Sequence, residues 1–184
     1  MSKTDIQKYN GVAMTLHWII AALMIYMIFF GENLIRQPRG STADIGTFLP
    51  SLHVSIGVAI LLLTLARLAW RVMNPPPPYP ATMKDWEILL SKLTHGLFYV
   101  AMIGLPITGW LAFADYLQTH AGLAGTSVFG LFGVPPAPEL GRIAESLHGL
   151  GSNATMALFF LHVAAALKHQ FIDGDGIFRR MLPF

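Results

Sequence analysis

The chain has 184 residues, 54% of them hydrophobic and 12% charged, with a formal net charge of +2 and a mean hydropathy of +0.54. Such values lie far from the soluble globular norm and describe an integral membrane protein, and so small a charge gives no reason to invoke nucleic acid. There is no cysteine, which excludes disulfides, thiolate-bound metals, iron–sulfur clusters and covalently attached c-type haem.

The opening MSKTDIQKYN contains an acid and no clean cleavage signal. The apolar run after it is too long for a signal-peptide core, so this segment reads as retained. That run, Tyr9 to Gly31, is the first of four without Asp, Glu, Lys or Arg; the others are Ile45 to Ala66, Leu93 to Ala114 and Ser146 to Leu167. Each has 22 or 23 residues, enough for one helix to cross a hydrocarbon layer. The expected fold is an all-α membrane protein, a four-transmembrane-helix bundle forming one domain over residues 1–184, with helices at about 10–32, 46–71, 86–114 and 145–169. Pro106 should kink the third helix.

Basic residues set the expected orientation. Lys3 and Lys8 precede the first helix, Arg67, Arg71, Lys84 and Lys92 lie between the second and third, and Lys168, Arg179 and Arg180 follow the fourth. The other two loops hold Arg36, Arg39 and Arg142, diluted by Glu32, Asp44, Asp115, Glu139 and Glu145. Both termini are therefore expected to be cytoplasmic. Pro75 to Pro78 and Pro80 make the second connection a rigid extended spacer. The third connection is the longest; its apolar segment Val128 to Val134 is expected at the interface over the outer end of the bundle, and His120 reads as a solvated surface histidine.

Four histidines lie deep inside the apolar runs, and a fifth, His95, lies at the edge of the third. His17 is about 12 Å past Tyr9 and His162 about 9 Å before Lys168, so both fall in the inner half of the layer. His53 is about 12 Å past Ile45 and His148 about 9 Å past Arg142, so both fall in the outer half. His148 and His162 share one face of their helix about 21 Å apart. Imidazole is the commonest axial ligand of haem iron, and ionisable groups within a membrane are costly enough to mark a function. The bland alternative, hydrogen bonding between helices, gives no reason for the depths to match. The residues thus predict two non-covalent haem b groups, one between His17 and His162 and one between His53 and His148.

His95 and His169 lie within three residues of a basic flank and read as too shallow to be the obvious ligands, although His95 in place of His17 stays open. Arg67 and Arg71, one turn apart, either pair with propionates of an inner haem or mark the cytoplasmic boundary. Gly57, one turn after His53, and Gly149, Gly151 and Ser152 beside His148 leave room for a flat macrocycle or serve plain helix packing.

The segments TLHW at 15–18, LHVSIG at 52–57, LARLAWR at 65–71, HGLFYVAMIGLPITGW at 95–110, LHGLGSNA at 147–154 and LHVAAALKH at 161–169 touch all four helices. Through them the chain resembles the bacterial cytochrome b561 family of small dihaem membrane proteins, and within it the superoxide:ubiquinone oxidoreductases of the superoxide oxidase type. It is similar, more distantly, to the dihaem b subunits of formate dehydrogenases and nickel–iron hydrogenases. The resemblance implies a bacterial inner-membrane location and the same ligand pairs, His17 with His162 and His53 with His148. It also implies a quinone site near His95 and His169, and electron transfer from an outer one-electron donor, superoxide, to ubiquinone inside. Arg36, Arg39 and Arg142 would then guide a small anion to the outer face. The alternative is a dihaem anchor subunit of a dehydrogenase-type complex, or an acceptor from a soluble redox partner. Glu145 stands where the superoxide-oxidising relatives tend to be basic.

Overall fold

The computed structural model describes residues 7–35, 43–119, 121–138 and 140–182. Arg36, Arg39 and His120, with Lys3 and Glu139, lie outside the described residues. Four helices are long and apolar enough to cross a membrane: α1 (Gly11–Ile35), α2 (Ala43–Met73), α3 (Asp85–Thr119) and α4 (Gly141–Lys168). The four-helix membrane bundle expected from the uncharged runs is the fold observed.

The helices outlast those runs. α3 has 35 residues and α2 has 31, so Arg67, Arg71, Asp85, Glu87 and Lys92 sit on helices rather than beyond them. A helix satisfies its own backbone on either side of the interface, and long charged side chains reach water from its end turns. α3 continues as one helix through Pro106.

α1 packs along α2, α2 against α3, and α3 along α4, while α1 and α4 barely meet. Leu62, Val100 and Phe160 are 57%, 69% and 55% exposed, as a lipid-facing surface requires. The small core sits at mid-bundle, where Ile20, Ile60 and Met102 are buried against Phe98, Tyr99, Met24 and Met27.

The two chain ends meet at one end of the bundle, the terminal end. Tyr9 N–H donates to Arg180 O at 3.1 Å, and Trp18 Nε1–H donates to Met181 O at 2.7 Å. The buried Arg180 guanidinium donates to Gln7 O at 2.9 Å and to Pro78 O at 2.7 Å, tying the proline spacer to both ends of the chain.

The opposite end carries a short hairpin, β1 (Ser127–Val128) paired antiparallel with β2 (Phe132–Gly133). Its turn places Phe129 at φ 53° and Gly130 at φ 70°, and a glycine accepts that left-handed geometry at no steric cost. Two serines of α2 hold it down: Ser51 Oγ accepts from Ser127 N–H at 3.0 Å and Ser55 Oγ from Phe129 N–H at 2.8 Å. Val128 is buried, so the apolar 128–134 segment does cover this end of the bundle.

Candidate functional site

The structure brings the four intramembrane histidines together in two pairs. The ring centroids of His17 and His162 are 6.4 Å apart, and those of His53 and His148 are 6.2 Å apart. A metal held between two imidazole nitrogens at about 2.0 Å each, with each ring centre about 1.1 Å further back, needs about 6.2 Å. Both pairs have that spacing.

At the hairpin end each ring is fixed from behind. His53 Nδ1 lies 2.9 Å from Gly31 O, and His148 Nδ1 lies 2.9 Å from Leu105 O. A carbonyl only accepts, so each Nδ1 carries the proton and each Nε2 keeps a free lone pair, as a metal-ligating histidine requires. The seat of His148 is shaped by an absent side chain: a Cβ on Gly109 would lie 2.9 Å from His148 Cε1 and 3.1 Å from Nδ1. Only glycine lets the ring lie so close to α3.

Both rings line a cavity of about 1680 Å³, larger than the roughly 300–1,000 Å³ that suits drug-sized ligands. Gly57, Gly149 and Ser152 line it, and a Cβ on Gly57 or Gly149 would touch nothing within 4 Å. These three keep the macrocycle-sized space expected of them. Gly151 does not: a Cβ there would meet Leu105 Cδ2 at 2.9 Å, so it is a helix-packing glycine between α4 and α3. Pro106 also borders the cavity, as do Arg142, Glu145, Asp115 and Glu32 toward the hairpin end.

The large cavity does not reach His17 or His162, and the space lined by Arg67, Arg71, Tyr9 and Tyr99 is only about 20 Å³. Arg67 Nη1 donates to Ala13 O at 3.0 Å, one turn before His17. Its charge acts on His17, His95 and His162 alike.

His95 corrects an expectation. It lies about 15 Å into α3, level with His162, and the two ring centroids are 5.4 Å apart at 86°. Lys92, three residues before it, had placed it near the interface, but that lysine rides on the helix itself. Its distance from His162 is about 1 Å short of what a metal between the rings needs, and its Nδ1 is bound to Ser91 O at 2.6 Å. His169 does lie shallower, about 10 Å along the axis from His162. It opens the π turn His169–Asp173 that follows α4 and is buried.

The sequence left four contributors unread: the carbonyls of Gly31 and Leu105, the seat on Gly109, and the carboxylates against His169. Backbone carbonyls and a missing methyl carry no side-chain signature. The run Asp173-Gly174-Asp175-Gly176 is a turn signal that pointed to the last.

The prokaryotic cytochrome b561 family profile matches residues 8–184. Cytochrome b561 homolog 2 of Escherichia coli (strain K12) is 30% identical over 96% of this chain and 92% of its own length. Cytochrome b562 of Cereibacter sphaeroides is 28% identical over 95% and 94%, and the probable superoxide oxidase CybB of Yersinia pestis 26% identical over 96% and 97%. With four spans, paired intramembrane imidazoles and this near full-length match, the chain belongs to the prokaryotic cytochrome b561 family, multi-pass electron-transfer proteins of the bacterial inner membrane that bind b-type haem.

Proposed function

We propose that this protein is a two-haem cytochrome that moves electrons across the inner membrane, from superoxide at the hairpin end to ubiquinone at the terminal end. The observation that carries the reading is the pair of imidazole pairs at metal-sandwiching distance, 6.2 and 6.4 Å, at opposite depths of one bundle. His53 and His148 would hold one haem, and His17 and His162 the other. Bound there, the haems supply one-electron storage, which matches a one-electron donor to a two-electron acceptor.

The chain's own residues supply the rest. The carbonyls of Gly31 and Leu105 fix the tautomer and direction of the hairpin-end ligands. Arg67 and Arg71 are fixed cations beside the terminal-end pair and suit the propionates of its haem. Arg142 borders the hairpin-end cavity and draws in a small anion. His169, with His95 deeper, offers ring nitrogens to the quinone oxygens and moves protons to them. Two superoxide ions each give up one electron and leave as dioxygen; one ubiquinone takes both electrons and two protons and leaves as quinol. The basic flanks support a cytoplasmic terminal end, and in this reading those protons come from inside.

One observation favours a second reading. Glu32, Asp115 and Glu145 line the hairpin-end cavity beside Arg142, and their carboxylates repel an anion while suiting a cationic protein donor. In that reading the chain anchors a dehydrogenase-type complex or accepts electrons from a soluble cytochrome. The test is to add potassium superoxide to the purified protein with ubiquinone and follow quinol at 275 nm. Quinol forming faster than in the protein-free control supports the first reading. No added quinol with superoxide, but reduction by a copurifying hydrophilic subunit, supports the second.

A further inference from the structure

We propose that Asp175 is a positioning residue for His169, holding the proton on Nδ1 so that Nε2 faces the quinone and exchanges protons with it. This rests on the quinone reading above and deepens it. The chain is shaped to bring this carboxylate back under the helix it has just left. After the π turn His169–Asp173, Gly174 at φ 62° and Gly176 at φ 78° flank Asp175 on both sides. Both glycines adopt a left-handed backbone that other residues take only with strain. The two reversals return the Asp175 side chain, only 5% exposed, to the His169 ring.

Each carboxylate oxygen then has its own donor. Asp175 Oδ2 lies 2.7 Å from His169 Nδ1, and Oδ1 accepts from Ile177 N–H at 3.0 Å. An ionised carboxylate only accepts, so the ring proton sits on Nδ1 and Nε2 is left for a ligand. Asp173 Oδ2 also approaches Nδ1, at 3.1 Å, but it is committed to Lys168 Nζ at 2.6 Å, which in turn binds Glu87 Oε1 at 2.7 Å. Asp175 is therefore the nearer and the more buried of the two partners. When Nε2 takes up a proton from water, the imidazolium is balanced by the two carboxylates against Nδ1. When that proton passes to the reduced quinone oxygen, the ring returns to the neutral Nδ1–H form. This is the orienting role that a carboxylate plays behind a general-acid histidine.

The test uses Asp175→Asn in the purified haem-loaded protein, with ubiquinone-1 as acceptor. The amide keeps an oxygen for Ile177 N–H and the same volume, so the turn persists while the charge is lost. The expected result is a kcat for quinol formation lower by about tenfold or more, a KM for ubiquinone-1 within about twofold of wild type, and an unchanged haem content. Asp175→Glu should recover part of that loss, and Asp173→Asn should lower kcat by less than about threefold. Wild-type kcat in Asp175→Asn overturns the proposal, as does a loss of kcat matched by an equal loss of haem in both Asp175→Asn and Asp175→Glu. If the wild-type protein itself does not reduce ubiquinone-1, the quinone reading fails and takes this proposal with it. Full activity confined to the variant sinks the pairing alone.

Discussion

His148 is held from three directions: its Nδ1 by Leu105 O, its face by the bare Cα of Gly109, and its partner ring, His53, 6.2 Å away. Adding a methyl at Gly109 forces a contact that Cβ atoms essentially never make, so Gly109→Ala is expected to push the ring off its seat. Haem per chain should fall by about half, with the deficit at the hairpin-end site, as read by pyridine haemochrome assay. Gly11→Ala is the control, because nothing lies within 4 Å of its Cβ position. Glu145 tests the donor. At low ionic strength Glu145→Gln should raise the rate of reduction by superoxide roughly two- to threefold, and added salt should erase the difference. A cationic protein donor would respond in the opposite direction, so stopped-flow reduction of the variant separates the two.

At the scale of elements, the hairpin β1–β2 depends on α2 for its backbone partners. Ser51 and Ser55 each accept one of its amides while donating their own hydroxyls to Thr47 O and Ser51 O, both at 2.6 Å. Replacing both serines by alanine removes, with their two intrahelical bonds, the two hydrogen bonds that hold the hairpin, worth about 1 kcal/mol each. The Phe129 amide should then exchange about tenfold or more faster while α2 and α3 keep their protection, as hydrogen–deuterium exchange would record. The spans themselves were legible in the sequence because the bilayer forbids charges over some twenty residues. The far end of α3 was less so: the uncharged run stops at Ala114, but the helix continues through Asp115 to Thr119. The pairing of His17 with His162 and of His53 with His148 in space was legible for a related reason, since two surfaces and a fixed rise per residue turn sequence position into depth. Depth cannot say which way a ring faces, so Leu105 O, Gly109 and the return of Asp175 onto His169 appear only in three dimensions. His95 was misplaced because Lys92, three residues before it, was read as the interface.

At the scale of the whole molecule, the two termini and the proline spacer share one end, stitched by Arg180. By the positive-inside rule the basic flanks predict a cytoplasmic side for that end. The absence of cysteine makes the orientation simple to read: in intact spheroplasts an impermeant maleimide should label Leu131→Cys, in the hairpin turn, and leave Thr82→Cys unlabelled until the membrane is opened. Labelling of Thr82→Cys alone would invert the bundle. The most direct measurement is haem per chain in the purified wild type and in His148→Ala. The expected values are about two and about one, with the remaining haem in the variant still six-coordinate and low-spin by its absorption spectrum. One haem in the wild type, or none in the variant while it keeps its helical content, would contradict two independent sites.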